Sequence, residues 1–127
     1  MQENRNYRHQ ELTERIIGIF YDVYNELGHG FLESVYENAM VLALSESGIS
    51  CQAQHPISVR FRGRIVGDFR ADILVENCVL LELKCAKTID EAHVAQTLNY
   101  LKATDIDVAL LLNFGPQPSI KRLFFDQ

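Results

Sequence analysis

No stretch of the 127 residues approaches the roughly 20 consecutive apolar positions that a membrane span needs, and the opening MQENRNYRHQ is polar and mixed in charge, unlike a signal peptide. These absences lead us to expect a cytoplasmic protein with no membrane partner. The three cysteines, Cys51, Cys78 and Cys85, are odd in number and lack C-x-x-C spacing. That removes the signatures of a zinc site or a redox pair and suits reduced thiols. Internal repeats and low-complexity segments are missing as well. Positive charge is in short supply: 12 Lys and Arg face 17 Asp and Glu, a net charge of −5. The global field therefore repels nucleic acid, which argues against a general coat protein. Local charge still counts, because screening sets in over about 8 Å at physiological salt. Arg60, Arg62, Arg64 and Arg70 stand against Asp68 alone in the stretch 60–70. That stretch is either a local attraction for a polyanion or a solvated hairpin with its arginines turned outward.

What is present is enough for one core: the chain is 47% hydrophobic, at the length of a single domain. Residues 1–10 show no apolar period and are expected to be a flexible tail, with one domain over 11–127. Ile16, Ile17, Phe20, Val23, Tyr24 and Leu27 draw a helical stripe over 11–27, closed by Gly28 as a C-terminal cap. Gly28-His29-Gly30 makes a turn, and Leu32, Val35, Tyr36, Ala39, Met40, Ala43 and Leu44 restart a helix that ends at Gly48.

From Cys51 the period changes to two, with Ile57, Val59 and Phe61 alternating with Ser58, Arg60 and Arg62; Pro56 points to an edge or a strand start. Turns at Arg62-Gly63 and Glu76-Asn77 separate strands at 65–75 and 79–85, giving a three-stranded meander. Thr88 and Glu91 have capping-box spacing, so a helix is expected over 89–103. The apolar run 108–114 reads as a strand covered on both faces, and 120–125 as a further strand at the margin. The order α-α-β-β-β-α-β describes an α/β protein with a mixed central sheet flanked by helices.

Two charges sit badly in this pattern. In Val79-Leu80-Leu81-Glu82-Leu83-Lys84-Cys85 one face is wholly apolar, while Glu82 and Lys84 share the other. So hydrophobic a strand should be central, where an unpaired charge costs several kcal/mol. A simple cross-pairing of Glu82 with Lys84 on a half-exposed face would satisfy both. However, Asp72 lies on the preceding strand, and a hairpin at Glu76-Asn77 could bring it opposite Glu82. Two carboxylates so placed repel unless a proton or a cation intervenes. Their oxygens suit Mg2+ or Mn2+, which take one or two protein carboxylates and a substrate phosphate. Lys84 beside them could orient a water or stabilise charge growing on that phosphate.

Asp72 followed by Glu82-Leu83-Lys84 on consecutive strands resembles the D-x(n)-(D/E)-x-K signature of the PD-(D/E)XK nuclease superfamily. Gly30-Phe31-Leu32-Glu33-Ser34-Val35-Tyr36 is similar to the G-x-x-E-x-x-Y motif that names a small bacterial branch of it. Two further blocks of that branch resemble residues 95–102 (AQTLNYLK) and 111–115 (LLNFG). The resemblance implies a restriction-endonuclease-like α-β-β-β-α-β core and a Mg2+- or Mn2+-dependent hydrolase acting on nucleic acid, with DNA ahead of RNA. It implies that Asp72, Glu82 and the backbone carbonyl of Leu83 hold the metal, that Glu33 completes or supports the shell, and that Lys84 assists the nucleophile. Gln96 would then serve site geometry. Tyr36 and Tyr100 are read as supporting residues, with plain core packing as the competing role for each. His29 and His93 read as polar turn and helix residues ahead of any metal role.

Small nucleases that cut duplexes often pair to reach both strands, so a homodimer is an arrangement the resemblance admits. A different class of function is also weighed: a nuclease-like fold kept as a catalytically silent binding or scaffold module, which the acidic balance and small size would suit.

Overall fold

A computed structural model of the chain describes residues 8–126; most of the expected tail, residues 1–7, lies outside them. Two helices, α1 (Gln10–Leu27) and α2 (Glu33–Glu46), precede three strands, β1 (Cys51–Phe61), β2 (Arg64–Val75) and β3 (Val79–Lys84). Helix α3 (Glu91–Lys102) then leads into β4 (Val108–Phe114) and β5 (Pro118–Phe124). The five strands form one sheet in the order β1-β2-β3-β4-β5. Of these neighbours, β3 and β4 run parallel and the others antiparallel. The molecule is thus an α/β fold with a mixed sheet between helices.

The apolar stripes dictate the layers. Ile16, Phe20 and Val23 of α1 and Tyr36, Met40 and Leu44 of α2 recur at three- and four-residue intervals and bury against Ile73, Val75, Leu81, Leu83 and Leu112 on one face of the sheet. Leu101 and Tyr100 of α3 pack with Leu74, Leu80, Ala109 and Leu111 on the other. Every residue of β4 is buried, as its unbroken apolar run predicts. Among the described residues no helix is long and apolar enough to cross a membrane.

The turns sit where the sequence places them. Arg62 and Gly63 have φ of 53° and 77°, and Glu76 and Asn77 have 49° and 58°. Such positive values match the twist of antiparallel hairpins. Gly28, at φ 68°, closes α1, and its N–H reaches the Tyr24 carbonyl. One expectation needs adjusting. The capping box of α3 is formed by Asp90 and His93, not by Thr88 and Glu91: the Asp90 carboxylate accepts from the His93 amide at 2.9 Å and His93 Nδ1 accepts from the Asp90 amide at 3.2 Å. An imidazole thus fills the place usually taken by Glu or Gln. Pro56 lies within β1, an edge strand as its presence suggests, where no donor is needed on the open side.

The β1–β2 hairpin is also much longer than β3. Strand β2 pairs with β3 only over Ile73–Val75, while its pairing with β1 continues out to Phe61 and Arg64. The outer half of the hairpin therefore projects as an arm. Beyond the end of β3 the chain is held by Asn113, fully buried, whose side chain accepts from the Ala86 N–H and donates to the Ala86 carbonyl, both at 2.9 Å. Gly115 makes room for that segment, since a Cβ there would lie 1.9 Å from the Ala86 oxygen. We therefore expect Gly115→Ala to cost at least about 1–3 kcal/mol, the scale of overpacking a closed interior. Equal urea midpoints for the variant and wild type would show that the contact does not constrain the fold.

Candidate active site

Strand β2 separates from β3 just past the paired residues Ile73 and Leu81, and one step further come Asp72 and Glu82. There the side chains take over from the ladder. The Leu83 N–H donates to Asp72 Oδ2 at 2.7 Å, and the Asp72 N–H donates to Glu82 Oε1 at 3.1 Å. Each carboxylate thus satisfies a backbone donor of the opposite strand. Glu82 is only 4% exposed.

Burial, followed by the negative charge of Asp72, pushes the Glu82 carboxyl up to about 8, against the opposing pull of the Asp72 amide and Lys84. The Asp72 carboxyl is raised too, by burial, although the Leu83 amide, the Lys84 charge and Glu82 itself all act to lower it. At neutral pH the pair therefore shares a proton, as two close carboxylates must in the absence of a cation.

Lys84 and Gln96 meet on the α3 side of the sheet, with Nζ 3.5 Å from Oε1. Tyr100 lies one helical turn beyond Gln96 on the same face of α3. Its phenol is raised by burial and then by the charges of Glu82 and Asp72, which places it within their field. On the α2 side a small cleft of about 190 Å³ is lined by Glu33, Ser34, Glu37, Gln54, Asp72 and Leu83. Asp72 therefore stands between two groups of side chains. Glu33 joins it in the cleft, while Glu82, Lys84, Gln96 and Tyr100 gather on its other side.

Tyr36 does not reach these groups. It is fully buried, stacks on Phe114 with ring centroids 4.3 Å apart, and donates its hydroxyl to the Gly28 carbonyl at 2.5 Å. The same hydroxyl accepts from the Phe31 N–H at 3.3 Å, so Tyr36 braces the turn from which Glu33 starts α2. His93 is engaged in the α3 cap.

Three residues to which the sequence assigns no individual role also shape the site. Glu37, one turn after Glu33, lines the cleft, and its carboxyl is raised by burial and by Asp72 while a hydrogen bond from Gln54 opposes the shift. Gln54 Nε2 donates to Glu37 Oε1 at 2.6 Å from a backbone at φ 55°, at the step of β1 that falls opposite Asp72 of β2, between the pairs Ala53–Ile73 and His55–Ala71. A non-glycine residue held in the left-handed region within a strand is an uncommon feature of the kind that collects at functional sites. The i, i+4 spacing of Glu33 and Glu37 is a signal that could have found Glu37; no pattern in the sequence marks Gln54. Asn113 is the third, through its hold on the segment after Lys84.

Among the described residues, no three His, Cys, Asp or Glu side chains come together as a metal-ligand cluster. The donor set is two adjoining carboxylates. That fits Mg2+ or Mn2+, which fill their remaining positions with water and substrate phosphate, and it does not fit a closed structural site.

The model of the PD-(D/E)XK nuclease superfamily matches residues 10–123. The chain belongs to that superfamily. Similar solved structures include the crystal structure of SSO0001, with 15% identity and a TM-score of 0.57 over 97% of this chain and 63% of that one. They also include an alkaline exonuclease (LHK-Exo) from Laribacter hongkongensis, with 15% identity and a TM-score of 0.52 over 73% of this chain and 56% of that one. At such identity the likeness is one of fold, and this chain spans less than two thirds of either structure. No curated protein matches the chain.

The shared proton has a consequence for stability. A carboxyl whose folded pKa is raised contributes stability below its unfolded value, near 4.5, and loses it as pH climbs through about 8. In chelator, wild type should therefore weaken between pH 5 and 8 relative to Glu82→Gln, which mimics the protonated acid. At pH 8 the variant should melt about 5 °C or more higher, the scale of 1 kcal/mol in a domain of this size. A constant difference in melting temperature across this range would show that Glu82 is not the titrating group.

Proposed function

We propose that this protein is a Mg2+- or Mn2+-dependent nuclease that hydrolyses phosphodiester bonds of DNA. The observation that carries the reading is the meeting of half-buried Asp72 with buried Glu82, each carboxylate accepting from an amide of the opposite strand, with Lys84 two residues beyond Glu82 on β3. Asp72, Glu82 and the Leu83 carbonyl would hold the metal. The Leu83 N–H is turned toward Asp72, and in a strand the carbonyl of the same residue faces the same neighbour. Leu83 also lines the cleft. Once bound, the cation supplies Lewis-acid polarisation of the phosphate and neutralises charge that the two carboxylates otherwise hold apart.

The remaining roles fall to the chain itself. The Lys84 ammonium offers its positive charge to the phosphate oxygens and to the attacking water. Gln96 accepts from that ammonium and limits where it points. Glu33 enters the cleft beside Asp72, where it can orient water, and Glu37 and Gln54 close the wall around it. Within the superfamily we place the chain in the GxxExxY branch. Gly30, at φ 116°, lets the turn reverse, Tyr36 pins that turn, and Glu33 is thereby delivered to the cleft. A cytoplasmic setting accords with the three free cysteines.

Hydrolysis should require the divalent cation and stop in chelator. Lys84→Ala should lower turnover per folded molecule by at least about a hundredfold, the usual effect of losing one well-placed electrostatic or proton-transfer group. Single- and double-stranded DNA and RNA are the substrates to compare, with the folded fraction measured alongside. Equal specific activity would remove Lys84 from the chemistry, and an inert wild type on all substrates would favour a scaffold. Asp72→Asn and Glu82→Gln should each weaken Mn2+ binding in calorimetry; unchanged affinity in both would exclude them as ligands.

A further inference from the structure

The arm of the β1–β2 hairpin and helix α3 enclose a groove of about 910 Å³, within the size range of small-molecule and cofactor sites. Phe69 forms part of its wall. Its side chain is 45% exposed, and its ring centroid lies 5.8 Å from that of Tyr100. The ring lies along its own strand over Gly67, where a Cβ would come within 2.9 Å of it. Arg60 contributes from the arm and Lys102 from the end of α3. None of the described lining residues is acidic, in a chain with 17 Asp and Glu. The inner end of the groove is formed by Gln96 and Tyr100, and Gln96 touches Lys84. The groove is therefore continuous with the candidate active site.

We propose that this groove receives a single-stranded segment of DNA as it enters the site, with a base stacked on Phe69 and backbone phosphates against Arg60 and Lys102. The inference rests on the nuclease reading above and adds the form of the substrate. An exposed aromatic face beside cations is the recognition chemistry of unpaired strands, because a base within a duplex already has both of its faces covered. A second copy of the same arm fits less well: Arg60, Arg62 and Arg64 would face their own counterparts.

The test is binding of a short labelled oligothymidylate to the full chain in chelator, where nothing is cleaved. Phe69→Ala should raise Kd about tenfold, in line with the loss of one stacked base. Phe69→Leu, which keeps apolar bulk against Tyr100 while removing the flat face, should show a similar loss with its melting temperature preserved. Arg60→Ala with Lys102→Ala should flatten the salt dependence of log Kd by about 0.7 for each phosphate no longer neutralised. Unchanged affinity in a folded Phe69→Leu would overturn the proposal. So would tighter binding of blunt duplex than of single strand, or Phe69-dependent binding of RNA without binding of DNA.

Separately, wild type with Mn2+ is offered bis(p-nitrophenyl) phosphate, which is too small to need the groove. Failure to hydrolyse it, together with Phe69-dependent DNA binding, would sink the hydrolytic reading and support the groove as a binding site. Hydrolysis together with Phe69-independent binding would do the reverse.

Discussion

The arrangement depends on a mutual replacement at the point where two strands part. Where β2 leaves β3, Asp72 and Glu82 fill ladder positions with their own carboxylates, each accepting from an amide across the gap. This satisfies the backbone and at the same moment sets a half-buried Asp72 beside a buried Glu82, with both pKa values raised. Fold and chemistry are joined at this point. The amides hold the carboxylates in place before any ligand arrives, so little ordering remains when one binds. In the absence of a cation, the cost appears as a retained proton.

The surrounding structure limits the freedom of this pair from three directions. Asn113 and Gly115 of the β4 end grip Ala86, two residues beyond Lys84, so the chain leaving β3 cannot swing. Tyr36 reaches back to the Gly28 carbonyl and fixes where α2 begins, and with it the position of Glu33. The Gln54 backbone adopts φ 55° beside the cleft, and its side chain holds Glu37. Three of these restraints are side-chain hydrogen bonds, from Asn113, Tyr36 and Gln54, and the fourth is the space left by Gly115.

Much of this could be read in the sequence because it follows from periodicity. The stripes of α1 and α2, the fully apolar β4 and the charged face of β3 at Glu82 and Lys84 each depend only on local spacing, and the Glu76-Asn77 turn makes the alignment of Asp72 with Glu82 a matter of register. What could not be read depends on contacts between distant segments. The α3 cap shifted by two residues because Asp90 is the stronger acceptor and His93 has a ring nitrogen in reach of its amide. The length of the hairpin arm was hidden because strands that outrun their neighbour carry the same alternation as strands that do not. Tyr36 and Tyr100 look alike in sequence, yet one braces a turn and the other lies in the field of the carboxylates, a difference set entirely by which side of the sheet their helix covers.

The same division by layers bears on how an acidic chain could take the polyanionic substrate proposed above. Helices α1 and α2 carry Glu11, Glu14, Asp22, Glu26, Glu33, Glu37 and Glu46 against Arg15 alone. The hairpin of β1 and β2 carries Arg60, Arg62, Arg64 and Arg70 against Asp68 and Asp72. The charge that makes the whole molecule negative is therefore concentrated in one layer, while the arm is positive. With screening over about 8 Å, a polyanion approaching the arm would meet mainly the arginines. The repulsive layer then disfavours approach from the α1 and α2 side. At the inner end of the path proposed above, a phosphate would meet Asp72 and Glu82, whose charge a shared proton or a divalent cation would offset.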